Sequence, residues 1–375
     1  MKDIREIHNE AMYWAEMGDI KKFEGNKNES IELYARAYEL EKEAATIALE
    51  SHFGEPTTSI LLKSAASLAM RCRLNRDAEK LIGLALSGEP PMDIVEELRD
   101  MLENVNFDRH LSLKGVTLHE NEVQLVIAGS GVGFGYAKSD DALDRVDTYK
   151  KLAIRTIERK AGRIFRTAGK IPNELKDVCQ SFITAPRAAS MAFRIKFGSL
   201  ADSQFQGFNS FEDIIEDIND NIELIGRGDL DNLRMNIKDE SYFNNFVGLT
   251  KQLAPDGDDI KLFGITSILN GKERRVQLTS KKSEISSIIE KTEYSYEEQA
   301  RGNKTIEKNA ITGVLSAADN LGKVKITSSD GERTTIIVPD GLADIVKTYW
   351  EEEVTIRFKS SGKSKKTLID IDKIG

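Results

Sequence analysis

The sequence is poor in the residues that build metal sites and disulfide frameworks. Its 375 residues include only two cysteines, Cys72 and Cys179, which lie far apart in the chain. A disulfide framework and a four-thiolate zinc site both need more cysteines, so the sequence excludes both. None of its four histidines has a cysteine or a second histidine at metal-ligand spacing. We therefore predict no metal and no cofactor.

Long apolar runs are also missing. No stretch approaches the roughly 18 uninterrupted apolar residues of a membrane span, and the first residues contain no apolar signal segment. The sequence thus predicts a cytoplasmic protein with no membrane partner. It also lacks the Gly-x-Ser-x-Gly motif, because Ala128 stands where Ser130 would need a glycine. We predict no catalytic residue and favour a non-enzymatic protein, while a catalytic site built from residues scattered in the sequence stays open.

The composition is that of an ordinary folded protein, with 40% hydrophobic and 31% charged residues. Its length favours several domains. We predict a multidomain α+β protein in three parts. These are α-helical hairpins over 1–106, a mixed α/β domain over 107–300 that could divide near 198–210, and a small five-stranded β-barrel over 305–375.

The first part contains an internal repeat. Apolar residues occur at helical spacing, and small and aromatic positions recur at a constant offset of 48 residues. The superimposed pairs are Trp14 with Leu62, Gly18 with Ala66, Ser30 with Ala78, Tyr34 with Ile82 and Ala37 with Ala85.

This repeat resembles the tetratricopeptide repeat. The residues at that family's Trp, Gly, aromatic and small positions are Trp14, Gly18, Gly25, Tyr34 and Ala37 in the first copy. The second copy ends with Pro90 at the family's terminal Pro position. The chain departs from the family at Lys21 and Arg73, and its period is longer than 34 residues. The resemblance implies a helical module that docks a peptide, a partner protein or the rest of this chain.

Charge is distributed unevenly along the chain. Residues 150–197 contain twelve lysines and arginines and three acidic residues. Residues 198–270 contain five lysines and arginines and 14 acidic residues. The basic residues fall on a predicted helix that ends near Ile164 and on a predicted strand at 191–197. They either bind an anionic partner such as DNA or RNA, or pair with their acidic neighbours. The candidate nucleic-acid-binding residues in this segment are Lys151, Arg155, Arg159, Arg163, Arg166, Arg194 and Lys196.

A glycine-rich segment precedes the basic helix. Gly129, Gly131, Gly133 and Lys138 invite a phosphate-binding interpretation, since glycines let backbone N–H groups approach an anion. The P-loop spacing fails, because alanine stands directly before the lysine. Glycines that alternate with apolar residues over 131–136 are instead typical of one strand packed closely on one side. Nucleotide binding by these four residues therefore stays the alternative function.

The C-terminal part has a pattern of short strands. We predict strands at 310–316, 323–328, 334–338, 354–359 and 367–371, with a short helix between the third and the fourth. This order is that of the oligonucleotide/oligosaccharide-binding (OB) fold, and an SH3-like barrel is the alternative. The loop between the last two strands contains Lys363, Lys365 and Lys366, which could contact a nucleic-acid backbone.

These features favour an adaptor or scaffold protein. Its repeats would dock a protein partner, and its basic central surface, together with the barrel, could contact DNA or RNA. Such an order of domains suits an accessory subunit of a bacterial defence or nucleic-acid-processing complex. The alternative is a nucleotide-binding enzyme or sensor that uses segment 129–135.

Overall fold

The computed structural model describes residues 3–111, 117–129, 132–133, 136–167, 171–173, 175, 179–182, 191–197, 211–257, 259–290, 309–318, 322–361 and 365–374. By their contacts the residues divide into two units, Met1–Arg109 and His110–Gly375. Each unit buries its own apolar core. In the described ranges, no helix is long and apolar enough to cross a membrane.

The N-terminal segment consists of helices, which confirms the helical prediction. They are α1 (Ile4–Phe23), α2 (Lys27–Glu50), α3 (Thr57–Arg71), α4 (Asn75–Leu86) and α5 (Met92–Leu111). Helix α1 begins after Asp3, whose carboxylate accepts a hydrogen bond from the backbone N–H of Arg5. From α1 to α4, each helix packs against the next one along the chain.

Helices α1 and α2 approach each other closely at one glycine. The ring of Tyr34 lies against Gly18, and a Cβ atom on Gly18 would lie only 2.6 Å from Cε1 of that ring. The Ser30 hydroxyl donates a hydrogen bond to the Gly18 carbonyl at 2.9 Å. A larger residue at position 18 would therefore push the two helices apart.

We expect Gly18→Ala to lower the free energy of unfolding of the first unit by about 1–3 kcal/mol, because the added methyl overpacks the helix contact. Gly83→Ala is the matched control, since a Cβ atom there meets no atom within 4 Å. On α4 the control should stabilise the unit by up to about 1 kcal/mol through helix propensity. Urea unfolding followed by Trp14 fluorescence, with Trp350 replaced by Phe, measures both. If the two substitutions changed the free energy of unfolding equally, the close contact between Gly18 and Tyr34 would be contradicted.

The second unit contains a five-stranded antiparallel sheet in the order β4-β5-β1-β6-β7. Its strands are β1 (Glu122–Ala128), β4 (Cys179–Phe182), β5 (Met191–Phe197), β6 (Leu262–Leu269) and β7 (Lys272–Leu278). The turn between the last two strands has positive φ at Asn270 and Gly271, as in a tight hairpin turn. The helices are α6 (Ser139–Lys160), α7 (Phe211–Gly226), α8 (Leu230–Asn236), α9 (Glu240–Leu253) and α10 at 282–290.

The basic helix α6 is shorter than its pattern predicts. It ends at Lys160 because Gly162 adopts φ +65, the left-handed conformation that glycine takes most readily. The backbone N–H of Arg163 then turns back to the carbonyl of Glu158 at 3.0 Å. Ile164, which extended the predicted apolar stripe, is consequently 93% exposed.

The glycine-rich segment does not form the single strand that its alternation predicts. Two short strands, β2 (Val132–Gly133) and β3 (Tyr136–Ala137), pair antiparallel instead, so the chain reverses within the segment. Glycines permit a reversal of the chain as readily as they permit close packing of a strand. An alternation of glycine with apolar residues therefore does not distinguish one strand from two paired strands. The single-strand prediction is therefore wrong.

The C-terminal segment is a sheet of five strands that pair in a ring. They are β8 (Asn309–Ala318), β9 (Lys323–Thr327), β10 (Arg333–Ile337), β11 (Glu353–Ser361) and β12 (Lys365–Lys373). Their order is β10-β12-β11-β8-β9, and β9 pairs again with β10. The contact between β10 and β12 is parallel, and the others are antiparallel. A short helix, α11 (Ala343–Val346), lies between β10 and β11.

Helix α9 holds this sheet against the central strands and helices. The Asn245 side-chain amide donates a hydrogen bond to the carbonyl of Gly341 at 2.7 Å. Nζ of Lys251, only 5% exposed, lies 2.7 Å from Oδ1 of Asp370 and 2.6 Å from Oδ1 of Asp372. Side chains from both regions form one continuous apolar core.

Candidate nucleic-acid interface

The outer face of the C-terminal sheet has a covered half and an open half. On β12, four consecutive residues from Leu368 to Ile371 are buried, because α9 covers the outer side of that strand. On β9 and β10, by contrast, buried and exposed residues alternate. Their outward side chains therefore face solvent.

The open half is basic and rich in hydroxyl groups. Its exposed cations are Lys323 and Lys325 on β9 and Arg333 on β10, and the strands β8, β9 and β10 contain no acidic residue. Thr335 lies opposite Lys325 in the β9–β10 register. The hydroxyl oxygens of Ser316 and Thr327 are 2.7 Å apart. Among the described residues, no carboxylate lies within ion-pair distance of Lys325 or Arg333.

Such a surface can contact phosphates but cannot stack bases. Lysine and arginine neutralise phosphate oxygens, and threonine and serine hydroxyls donate hydrogen bonds to them. The three strands carry no aromatic residue, so the base-stacking platform of many single-strand-binding proteins is missing from them.

These three cations are not among the nucleic-acid-binding residues that the sequence predicts. The alternation over 323–327 and 333–337 contained the necessary signal, because lysine and arginine occupy the outward positions of both strands. The net charge does not reveal them, since the C-terminal part as a whole is nearly neutral.

Four of the candidate cations in the central segment have acidic partners. Nη1 of Arg155 lies 3.0 Å from Oε2 of Glu158, and Arg155 also pairs with Asp344. Arg166 reaches Glu158 at 3.2 Å. The other two partnerships are Arg159 with Asp217, and Arg194 with Glu122 at 3.7 Å.

The other candidate cations are more dispersed. Lys151 is half-buried on α6, whereas Arg163 and Lys196 are exposed. Lys365 is exposed at the start of β12, and Nζ of Lys366 lies 5.1 Å from the centre of the Phe358 ring. Lys363 lies outside the described residues.

The glycine-rich segment brings Gly129 against another backbone segment. Gly129 is buried with φ +155, and a Cβ atom there would lie 2.4 Å from the Asp259 carbonyl oxygen. Gly133 belongs to β2, and Gly131 lies outside the described residues. Lys138 is exposed and pairs with Asp259. Close backbone packing thus accounts for Gly129 without a bound nucleotide.

The covered half contains the most strongly interacting charges of the sheet. Burial alone would raise the pKa of the Asp372 carboxyl, but Lys251 and Arg357 hold that pKa below its ordinary value of 3.8. Arg357 also contacts Asp370 at 3.0 Å and Glu290 at 2.9 Å. These charges bind one another, which is a structural role.

In the part of the chain that the structure describes, no cluster of three or more His, Cys, Asp or Glu residues is placed to hold a metal ion. No protein-family model, no curated protein and no solved structure matches this chain. Inferences about function therefore depend on the geometry described above.

Proposed function

We propose that this protein is a non-enzymatic adaptor whose C-terminal barrel contacts nucleic acid and whose N-terminal helices dock a protein partner. The barrel is of OB type in this proposal. Strands β8, β9, β10, β12 and β11 follow one another around the ring, and α11 lies between the third and fourth strands in sequence. OB-folds bind their ligands on the face of their second and third strands, which here are β9 and β10.

One observation carries the nucleic-acid part of the proposal. Among the described strands, α9 leaves one half of the outer face open. That half presents Lys323, Lys325 and Arg333, and its strands contain no acidic residue. Lys365 and Lys366 flank the loop between the last two strands, which grips ligands in OB-folds. Lys325 and Arg333 are favoured over the central cations, because Arg155, Arg159, Arg166 and Arg194 already have carboxylate partners.

Exposed apolar side chains support a docking role for the first unit. Phe23, at the end of α1, is 95% exposed. Tyr13 and Ile20 on the same helix are about half exposed. Apolar groups of this size in water are typical of surfaces that meet a partner protein. The resemblance to the tetratricopeptide repeat is consistent with such a role.

Fluorescence anisotropy with labelled 20-nucleotide DNA and RNA, at several salt concentrations, tests the nucleic-acid part. We expect the logarithm of the affinity to fall linearly with the logarithm of the salt concentration, by about 0.7 per contacted phosphate of a single strand. The double variant Lys325→Glu with Arg333→Glu should bind at least about tenfold more weakly, a loss of about 1.4 kcal/mol.

The matched control reverses two exposed cations of the central segment, Arg163→Glu with Lys196→Glu. It changes the net charge by the same amount and should leave the affinity within about twofold of the unmodified protein, apart from the long-range effect of charge. Weakening by the control alone would move the interface to the central segment. If the unmodified protein binds neither nucleic acid at 50 mM salt, the proposal fails and a pure assembly role is left.

A further inference from the structure

A cavity of about 280 Å³ lies between helix α9 and the barrel. Side chains of α8 and α9 form one wall, and β12 and the segment at 339–345 form the other. This volume lies just below the roughly 300 Å³ at which small-molecule sites begin, which limits a ligand to about one ring with a short chain. It is separate from the open face of β9 and β10.

Most of the residues that line the cavity are apolar. Phe243 and Val247 line it from α9, Ile345 from α11 and Leu368 from β12. Each of these side chains is at most 5% exposed, so the surface that a ligand would meet is already held in place. An apolar ligand body that enters such a preformed site loses its contact with water at little cost in protein order.

The polar side chains of the cavity differ in how firmly they are held. Lys251 and Asp370 are both buried and satisfy each other. Arg234 is different, because its partner Glu240, at 2.6 Å, has a 61% exposed side chain. The Arg234 side chain is only 24% exposed, so the solvent-exposed Glu240 is the more mobile partner. Glu240 can turn into water, and a ligand carboxylate can then take its place on the guanidinium.

The guanidinium of Arg234 is also oriented. Its central carbon lies 4.0 Å from the centre of the Phe243 ring, which is a cation–π contact. The ring that forms part of the apolar wall thus holds the charge at the cavity. Lys359 also lines the cavity.

We propose that this cavity binds a small carboxylate with an apolar body. The carboxylate would replace Glu240 on Arg234, with the two parallel hydrogen bonds that a guanidinium offers. The apolar body would lie between Phe243 and the barrel. A ligand with an ammonium group would be repelled by the Arg234 guanidinium, and a neutral amide would lack the charge-assisted bonds.

Ligand-observed NMR with three matched probes tests this assignment. They are 3-phenylpropanoate, 3-phenylpropanamide and 3-phenylpropylamine, which share one apolar body and differ in charge. We expect the carboxylate to bind at least about tenfold more tightly than the amide, and the amine to bind more weakly than both. Equal affinity for the carboxylate and the amide would overturn the proposal. So would the absence of binding by all three probes at 5 mM, a concentration on the order of the Kd of a weakly bound fragment.

Two variants locate the binding site. Arg234→Gln should weaken the carboxylate about tenfold and leave the amide unchanged, because it removes the charge-assisted bonds alone. Val247→Phe should abolish binding of both by filling the cavity, whereas Val314→Phe adds the same bulk at a position on β8 that is 42% exposed. If Val247→Phe does not fold by circular dichroism, the Arg234→Gln comparison decides. Unchanged carboxylate binding in Arg234→Gln would refute the site.

Discussion

Replacing Lys251 with methionine should lower the free energy of unfolding of the second unit by about 3 kcal/mol. Methionine keeps most of the side-chain volume but leaves the carboxylates of Asp370 and Asp372 without their buried ammonium partner. Breaking a buried ion pair from one side costs about 3–5 kcal/mol. We expect the lower end, because Arg357 still contacts both carboxylates.

Urea unfolding followed by Trp350 fluorescence, with Trp14 replaced by Phe, measures the second unit alone. Lys373→Met is the matched control, because Lys373 pairs with Glu352 at 2.9 Å and both side chains are about half exposed. The control should cost less than about 1 kcal/mol. A loss in Lys251→Met no larger than in the control would mean that the buried pair does not hold the barrel.

The same variant should respond differently to acid. In the unmodified protein the pKa of folded Asp372 lies below its ordinary value of 3.8, so its contribution to stability is present above about pH 4 and is lost as the pH falls through the folded pKa. Without Lys251 this pKa rises and the contribution shrinks. The difference in stability between the two proteins should therefore narrow from pH 5 to pH 3.

The secondary structure of the barrel could be predicted because its signals are local. The predicted strand at 354–359 is the core of β11, and the one at 323–328 differs from β9 by a single residue. Side chains that alternate between a buried interior and solvent leave a period of two in the sequence. The turn between β9 and β10 carries its own signal in Gly331, with φ +83.

The covering of one barrel face could not be predicted in the same way. Lys251 and Asp370 are 119 residues apart in the sequence, and nothing near either residue indicates its partner. On β12 the sequence keeps a period of two, because Asp370 and Asp372 alternate with isoleucines. Asp370 is nevertheless buried, since α9 covers the outer side of the strand, and nothing in the local sequence indicates this.

The candidate interface illustrates the same limit. Counting charges identified 150–197 as basic, yet Arg155 and Arg159 meet acids from 344 and 217. Conversely, Lys325 and Arg333 lie in a segment with little net charge and become a basic face only when β9 and β10 pair. The net charge of a sequence segment therefore does not show whether its cations are exposed, because the fold pairs some of them with acidic residues from distant segments.

Replacing Arg155 with methionine should lower the stability of the second unit by about 3–5 kcal/mol, because the guanidinium is 7% exposed and joins Glu158 to Asp344. Glu158 then keeps its contact with Arg166. Trp350 fluorescence in urea measures the loss, since Asp344 belongs to α11 of the barrel. On the same helix, Lys150→Met removes an exposed i,i+3 pair with Asp147 and should cost at most about 0.5 kcal/mol. If Arg155→Met instead weakened nucleic-acid binding and left stability unchanged, this arginine would be a phosphate contact rather than a link between the barrel and helix α6.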